Sequence, residues 1–190
     1  KTYNALGGMM WYSAKLDSSL YFFNKALKIL DKTDKKPINT FYRKALVNSN
    51  IAVLNQSLGR IDEAIESSKE VINNYQKFID VSKDESYKLR ALKNQLAAID
   101  NLGSFYHSMG EFERADKLIA YSYQKKKKKL PENDINITIS QIISAQAKIG
   151  LRDFKAANNL IDKAIASINK EKNTQFFWHA SALSTKATIS

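Results

Sequence analysis

The stretch Asn101-Leu102-Gly103-Ser104-Phe105-Tyr106-His107-Ser108-Met109-Gly110-Glu111-Phe112-Glu113-Arg114-Ala115 decides the fold. An apolar-small pair, Leu102-Gly103, is followed by Tyr106, by a turn residue, Gly110, and then by Phe112 and a second small residue, Ala115. The 12-residue separation of the two small residues recurs in Ala52 with Ala64 around Gly59, in Ala145 with Ala157, and in a weaker first copy, Gly7 with Ser19. Two antiparallel helices account for it. A small residue in the first helix lets the facing small residue of the second approach, while bulky neighbours fill the groove. Self-similarity at a period of tens of residues predicts an all-α solenoid of antiparallel helix pairs, each pair burying its apolar face against the next.

Outward from that segment, the chain reads as one domain over 1–190, with repeats at about 1–36, 37–81, 82–131 and 132–172 and a truncated fifth at 173–190. Helices are predicted near 2–13, 16–31, 38–58, 61–80, 82–109, 112–129, 134–149, 153–171 and 174–190, about nine in all. The signals are local. Pro37 suits a first helical turn, where its missing N–H is no loss. Ser82-Lys83-Asp84-Glu85 fits a capping box opening the fifth helix, and Asn133 or Asp134 can cap the seventh. The last segment is apolar and periodic at Phe177, Ala180, Leu183 and Ala187; with Phe176 and Trp178 it would leave an apolar face uncovered unless further repeats or another chain meet it.

These features resemble the tetratricopeptide repeat family, whose pattern runs W-x2-L-G-x2-Y and then A, F and A, often closed by P. No copy carries the family's tryptophan, since Tyr3, Asn48, Ile99 and Gln141 stand there. The repeats are also long: Ser19 to Ala64 is 45 residues, Ala64 to Ala115 is 51, and Ala115 to Ala157 is 42. The last is similar to the repeat of kinesin light chain. The resemblance implies a right-handed superhelical solenoid and a non-catalytic scaffold that holds a protein or peptide. Bacterial relatives with such repeats are joined to histidine kinases, DNA-binding regulators or caspase-like peptidase domains, which implies the interaction segment of a larger signalling protein.

Carried onto this chain, the family's concave face, made by first helices, takes Asn50, Val53, Gln56 and Ser57 from the second repeat. The third contributes Asp100, Asn101, Ser104 and His107, and the fourth Ile142, Gln146 and Ile149. Asn50 and Asn101 precede the apolar-small pair, where peptide-binding relatives use an Asn on the ligand backbone; its carboxamide donates and accepts together. The family's clamp for a peptide C-terminus needs Lys or Arg where Asn4, Ala5, Ile142 and Ile143 stand, so chaperone-tail binding is not implied.

Composition narrows the remaining classes. Of 190 residues, six are Gly and two Pro, too few for a strand-rich or disordered chain. Cysteine is absent, so thiolate chemistry and disulfides are excluded, and either cytoplasm or periplasm accommodates the chain. No apolar run is long enough to span a membrane. His107 and His179 lie far apart, and no Gly-rich phosphate loop occurs, so neither a metal, a cofactor nor an enzyme is expected. Because the chain starts at Lys1 and stops at Ser190 inside apparent helices, it reads as a piece of a longer protein.

The net charge is +11, and Lys125 to Lys129 supplies five of the positive charges. Five successive lysines point around a helix circumference, complement its dipole and are expected to stay in water. Of the 30 basic residues 25 are Lys, whereas nucleic-acid readers favour Arg forks, so a basic nucleic-acid-binding domain is the third reading. A structural spacer that self-associates through its C-terminal helix is the second. Tyr21, Phe22, Phe23, Tyr121 and Tyr123 fall on second helices, where packing is the expected role.

Overall fold

A computed structural model describes residues 2–32, 37–170 and 176–189. Among these there are nine α-helices and no strand: α1 (Thr2–Tyr12), α2 (Leu16–Lys32), α3 (Pro37–Ser57), α4 (Ile61–Val81), α5 (Glu85–Ser108), α6 (Phe112–Lys129), α7 (Ile135–Gly150), α8 (Phe154–Lys170) and α9 (Phe176–Ala187). Every helix predicted from sequence is present, with ends within three residues. The predicted helix ends at Glu171, Thr174 and Ser190 and the repeat boundary at Lys36 lie outside the described residues.

The turns inside the four helix pairs share one hydrogen-bond pattern, which sets the pairs antiparallel. In each, the amide three places past the helix reaches back five residues (Lys15 to Met10, Arg60 to Asn55, Glu111 to Tyr106, Asp153 to Lys148), and the preceding amide reaches back three. This double bond satisfies the last carbonyls of the first helix and requires a left-handed residue at the bend. That residue is Ala14, Gly59, Gly110 or Arg152, with φ between 55° and 80°. Glycine accepts the conformation freely; Ala14 and Arg152 carry a Cβ into it.

The fifth helix is capped differently from the sequence expectation. Asp84 Oδ1, not the Ser82 hydroxyl, accepts from the amides of Ser86 and Tyr87, at 2.9 and 3.1 Å. Ser82 Oγ accepts only from Asp84 N, at 3.4 Å, one turn residue too early for a box. At α7 the cap is Asp134, whose Oδ1 accepts from Asn136 N at 3.0 Å.

The chain divides into two compact units, Lys1–Ala98 and Ile99–Ser190. In the first, Phe23, Ala26, Val47, Ile51 and Leu54 form one core, flanked by Tyr3, Trp11 and Leu16. A second core gathers Ala45, Val71, Tyr75, Phe78, Ala91 and Ala98. The second unit is built on Ile142, Ala145, Ala157, Ile161, Ala164, Ile168 and Ala182, with Trp178 packed against them. In both, the buried apolar positions recur at helical spacing and face inward.

The small-residue signature has two physical parts. Facing small residues do meet: Ser19 Oγ donates to the Gly7 carbonyl at 2.7 Å. The tighter constraint comes from a bulky residue one turn further on. A Cβ on Gly7 would stand 2.5 Å from the Phe23 ring, and one on Gly103 would stand 2.5 Å from Ile119 Cγ1. Gly8, one residue from Gly7, has open space instead. Gly8→Ala should therefore stabilise by about 0.5–1 kcal/mol through helix propensity. Gly103→Ala makes the same propensity gain but overpacks Ile119, and an overpacking cost of about 1–3 kcal/mol leaves a net loss. Urea denaturation of the two variants checks the opposite signs.

Tyr75 gives the first unit a pH-dependent term. It is buried, and its hydroxyl accepts from Asn94 Nδ2 at 3.2 Å. Burial pushes its pKa up to about 12; the Asn94 hydrogen bond opposes this and nearby Tyr42 adds to it. An acid whose pKa is higher folded than unfolded contributes stability that is complete below its ordinary value of 10.0 and is lost as pH rises through 12. On the order of 3 kcal/mol should disappear across that window. Urea midpoints at pH 9 and 11.5 should show a smaller drop in Tyr75→Phe than in the parent chain.

Candidate functional site

First helices present the residues singled out from the sequence, and each unit holds its own set. In the first unit, Asn50 of α3 donates from Nδ2 to Asn4 Oδ1 of α1, at 3.1 Å, tying two first helices together. Asn50 and Val53 are half-buried, and Gln56 and Ser57 are exposed. The Ser57 hydroxyl is turned back onto the Val53 carbonyl. The Asn50 carboxamide oxygen is thus the group best placed to accept from an outside donor.

In the second unit a row of hydrogen bonds crosses three first helices. His107 Nε2 of α5 lies 3.1 Å from the Gln146 carbonyl of α7, which requires a proton on that nitrogen. Gln146 Nε2 donates in turn to Thr185 Oγ1 of α9 at 3.1 Å, and Thr185 donates to the Ser181 carbonyl. The His107 ring rests edge-on against Phe112, with centroids 5.1 Å apart. Asn101 is exposed, while Ser104, His107, Gln146 and Ile149 are half-buried. Ion pairs also join helices of the second unit, Lys148 with Asp116 and Lys186 with Asp162, each at 2.8 Å.

Two predicted site residues are not at the surface. Ile142 is wholly buried in the second unit's core, because it faces Ala145 and the α8 alanines. Asp100 is 2% exposed and is taken up by an internal ion pair. Its Oδ2 receives Lys126 Nζ at 2.5 Å and Ser140 Oγ at 2.7 Å, and Lys126 also donates to Ser140 Oγ at 2.8 Å. Asp100 Oδ1 is buried without a partner.

The lysine run is corrected by the same contacts. Lys125, Lys127, Lys128 and Lys129 are exposed, as expected for a solvated helix end, but Lys126 is 1% exposed. The sequence held the signal: Ala115, Ile119, Ser122 and Lys126 make one buried stripe on α6 at helical spacing. Among the aromatic residues read as packing, Phe23 is buried, Phe22 and Tyr123 are half-buried, and Tyr21 and Tyr121 are mostly exposed. Phe176 and Phe177 are 78% and 72% exposed, whereas Trp178 turns inward. The predicted periodic face, Phe177, Ala180, Leu183 and Ala187, is the outer one.

No group of three or more His, Asp or Glu side chains able to hold a metal occurs among the described residues, and no described helix is long and apolar enough to cross a membrane. Comparison with protein-family models and with curated protein sequences gives no match. Solved structures match in fold. Nearly identical TPR-like repeats from Podosopora anserina, named after kinesin light chain, superpose with a TM-score of 0.71 at 16% identity, covering 99% of this chain and 83% of that one. The apo form of RapI gives 0.80 at 13% identity, over 99% and 61% of the two chains. BtubC from P. vanneervenii gives 0.70 at 17% identity, over 87% and 61%. At these identities the likeness shows the TPR-like repeat fold.

Proposed function

We propose that this chain is a non-catalytic protein- or peptide-binding scaffold and serves as the interaction segment of a larger signalling protein. The observation that carries the reading is the hydrogen-bonded row His107, Gln146 and Thr185. It links three successive first helices of the second unit, and Asn101, also on α5, is exposed. A fixed row with an unspent carboxamide suits an extended chain, whose backbone offers one donor and one acceptor per residue. The TPR-like repeats among the similar structures support the scaffold reading.

Affinity capture by the chain, followed by Asn101→Ala and Asn50→Ala, tests the site. Retention of a captured partner should fall about tenfold, the equivalent of about 1.4 kcal/mol for one lost hydrogen bond. Undiminished capture by both variants would remove these residues from the site. The exposed Phe176 and Phe177 favour a second reading, self-association through α9. Sedimentation velocity over a hundredfold concentration range decides it, and a strict monomer throughout counts against it.

A further inference from the structure

A cleft in the second unit, about 610 Å³ in volume, has chemistry that the first-helix row does not use. It lies among α6, α7 and α8, and its lining includes Tyr123, Lys127, Glu132, Gln141, Lys163 and Lys170. Among the described residues, three ammonium groups stand against one carboxylate, a local excess of two positive charges. Each helix contributes at one-turn or two-turn spacing: Tyr123 and Lys127 on α6, Ile137 and Gln141 on α7, Lys163 and Lys170 on α8. Ile137 and Ala166 give the cleft an apolar wall.

The second, independent feature is the Gln141–Tyr123 pair. Gln141 is 7% exposed, and its Nε2 donates to the Tyr123 hydroxyl at 3.3 Å, while its Oε1 is buried with no partner. Because that hydroxyl already accepts from Gln141, its own proton is left to donate. The cleft therefore offers hydrogen-bond donors and positive charge together. The cations among its described residues are lysines, point charges suited to a tetrahedral anion, where planar carboxylate recognition would call for an arginine fork. Its volume lies within the range of small-molecule sites, roughly 300–1,000 Å³.

We infer that this cleft binds a small phosphate monoester, with the phosphate held by Lys127, Lys163, Lys170 and the Tyr123 hydroxyl and the organic group laid against Ile137 and Ala166. A dianion neutralises the excess of two charges. The site is separate from the proposed partner row and stands whether or not that row binds a peptide.

Isothermal titration of the whole chain with adenosine monophosphate, at low salt, is the test. Saturable one-to-one binding is expected, with none for adenosine and weaker binding for inorganic phosphate. Lys163→Gln with Lys170→Gln, both exposed positions, should weaken it at least about tenfold while circular dichroism stays unchanged. Lys127→Gln, also at an exposed position, should weaken it alone. Succinate binding as tightly, equal affinity in the lysine variants, or no saturation at millimolar ligand would each overturn the site. A phosphoserine pentapeptide that binds where adenosine monophosphate does not would overturn the small-ligand assignment.

Discussion

Lys126→Met should lower the unfolding free energy by about 3–5 kcal/mol, the largest loss expected from any single lysine in the chain. The substitution keeps the length and apolar stem of the side chain, so packing on the α6 stripe is preserved. What it removes is the ammonium facing Asp100 and Ser140. Asp100 would keep only the Ser140 hydroxyl, with Oδ1 already lacking a partner, and a buried carboxylate so placed has lost most of its compensation. The triple variant Lys126→Met, Asp100→Leu, Ser140→Ala should recover to within about 1–2 kcal/mol of the parent or exceed it, because an apolar cluster avoids desolvating two charges. Chemical denaturation of single and triple variants measures both. A single variant as stable as its exposed neighbour Lys125→Met would show that the pair contributes nothing.

Phe23→Ala should cost about 3–5 kcal/mol, because a fully buried ring is replaced by a cavity at the α1–α2 crossing. The ring fills the space that Gly7 leaves open, and a Cβ on Gly7 would stand 2.5 Å from it. Gly7→Ala alone should then destabilise by overpacking, about 1–3 kcal/mol. In the Phe23→Ala background the same change should become neutral or stabilising, since its methyl enters the cavity and its helix propensity is favourable. A double-mutant cycle read by denaturation gives this sign reversal directly. Additive effects would mean that glycine is at position 7 for a reason other than the Phe23 ring.

How legible the molecule was depends on which interactions are local. Helix number, ends and pairing were readable because apolar periodicity, turn glycines and the 12-residue small-residue spacing are properties of neighbouring residues. The turn at Arg152 shows the limit of residue preference. Its left-handed φ of 59° is set by the same hydrogen bonds that act at Gly59 and Gly110, although nothing in an arginine announces it. The cap of α5 shifted from Ser82 to Asp84 because both residues can cap, and the path of the chain out of α4 selects between them.

The site residues were less legible. The repeat pattern carried over from the family put Asp100 with Asn101 and Ser104, on a face expected to meet a partner. Asn101 is indeed exposed, but a rotation of about 100° per residue carries Asp100 toward α6 and α7. A charged residue at a helix boundary between polar and buried faces can go either way, and its partner decides. That partner, Lys126, is 26 residues away and hidden in a lysine run.

By itself, then, the sequence determined an all-α chain of paired helices and the small residues that let each pair close, because those follow from contacts within a few turns. Only the tertiary structure decided which charges are buried. Asp100, Lys126 and Ser140 come from three helices, and the low dielectric that makes their pairing matter exists only once those helices have packed.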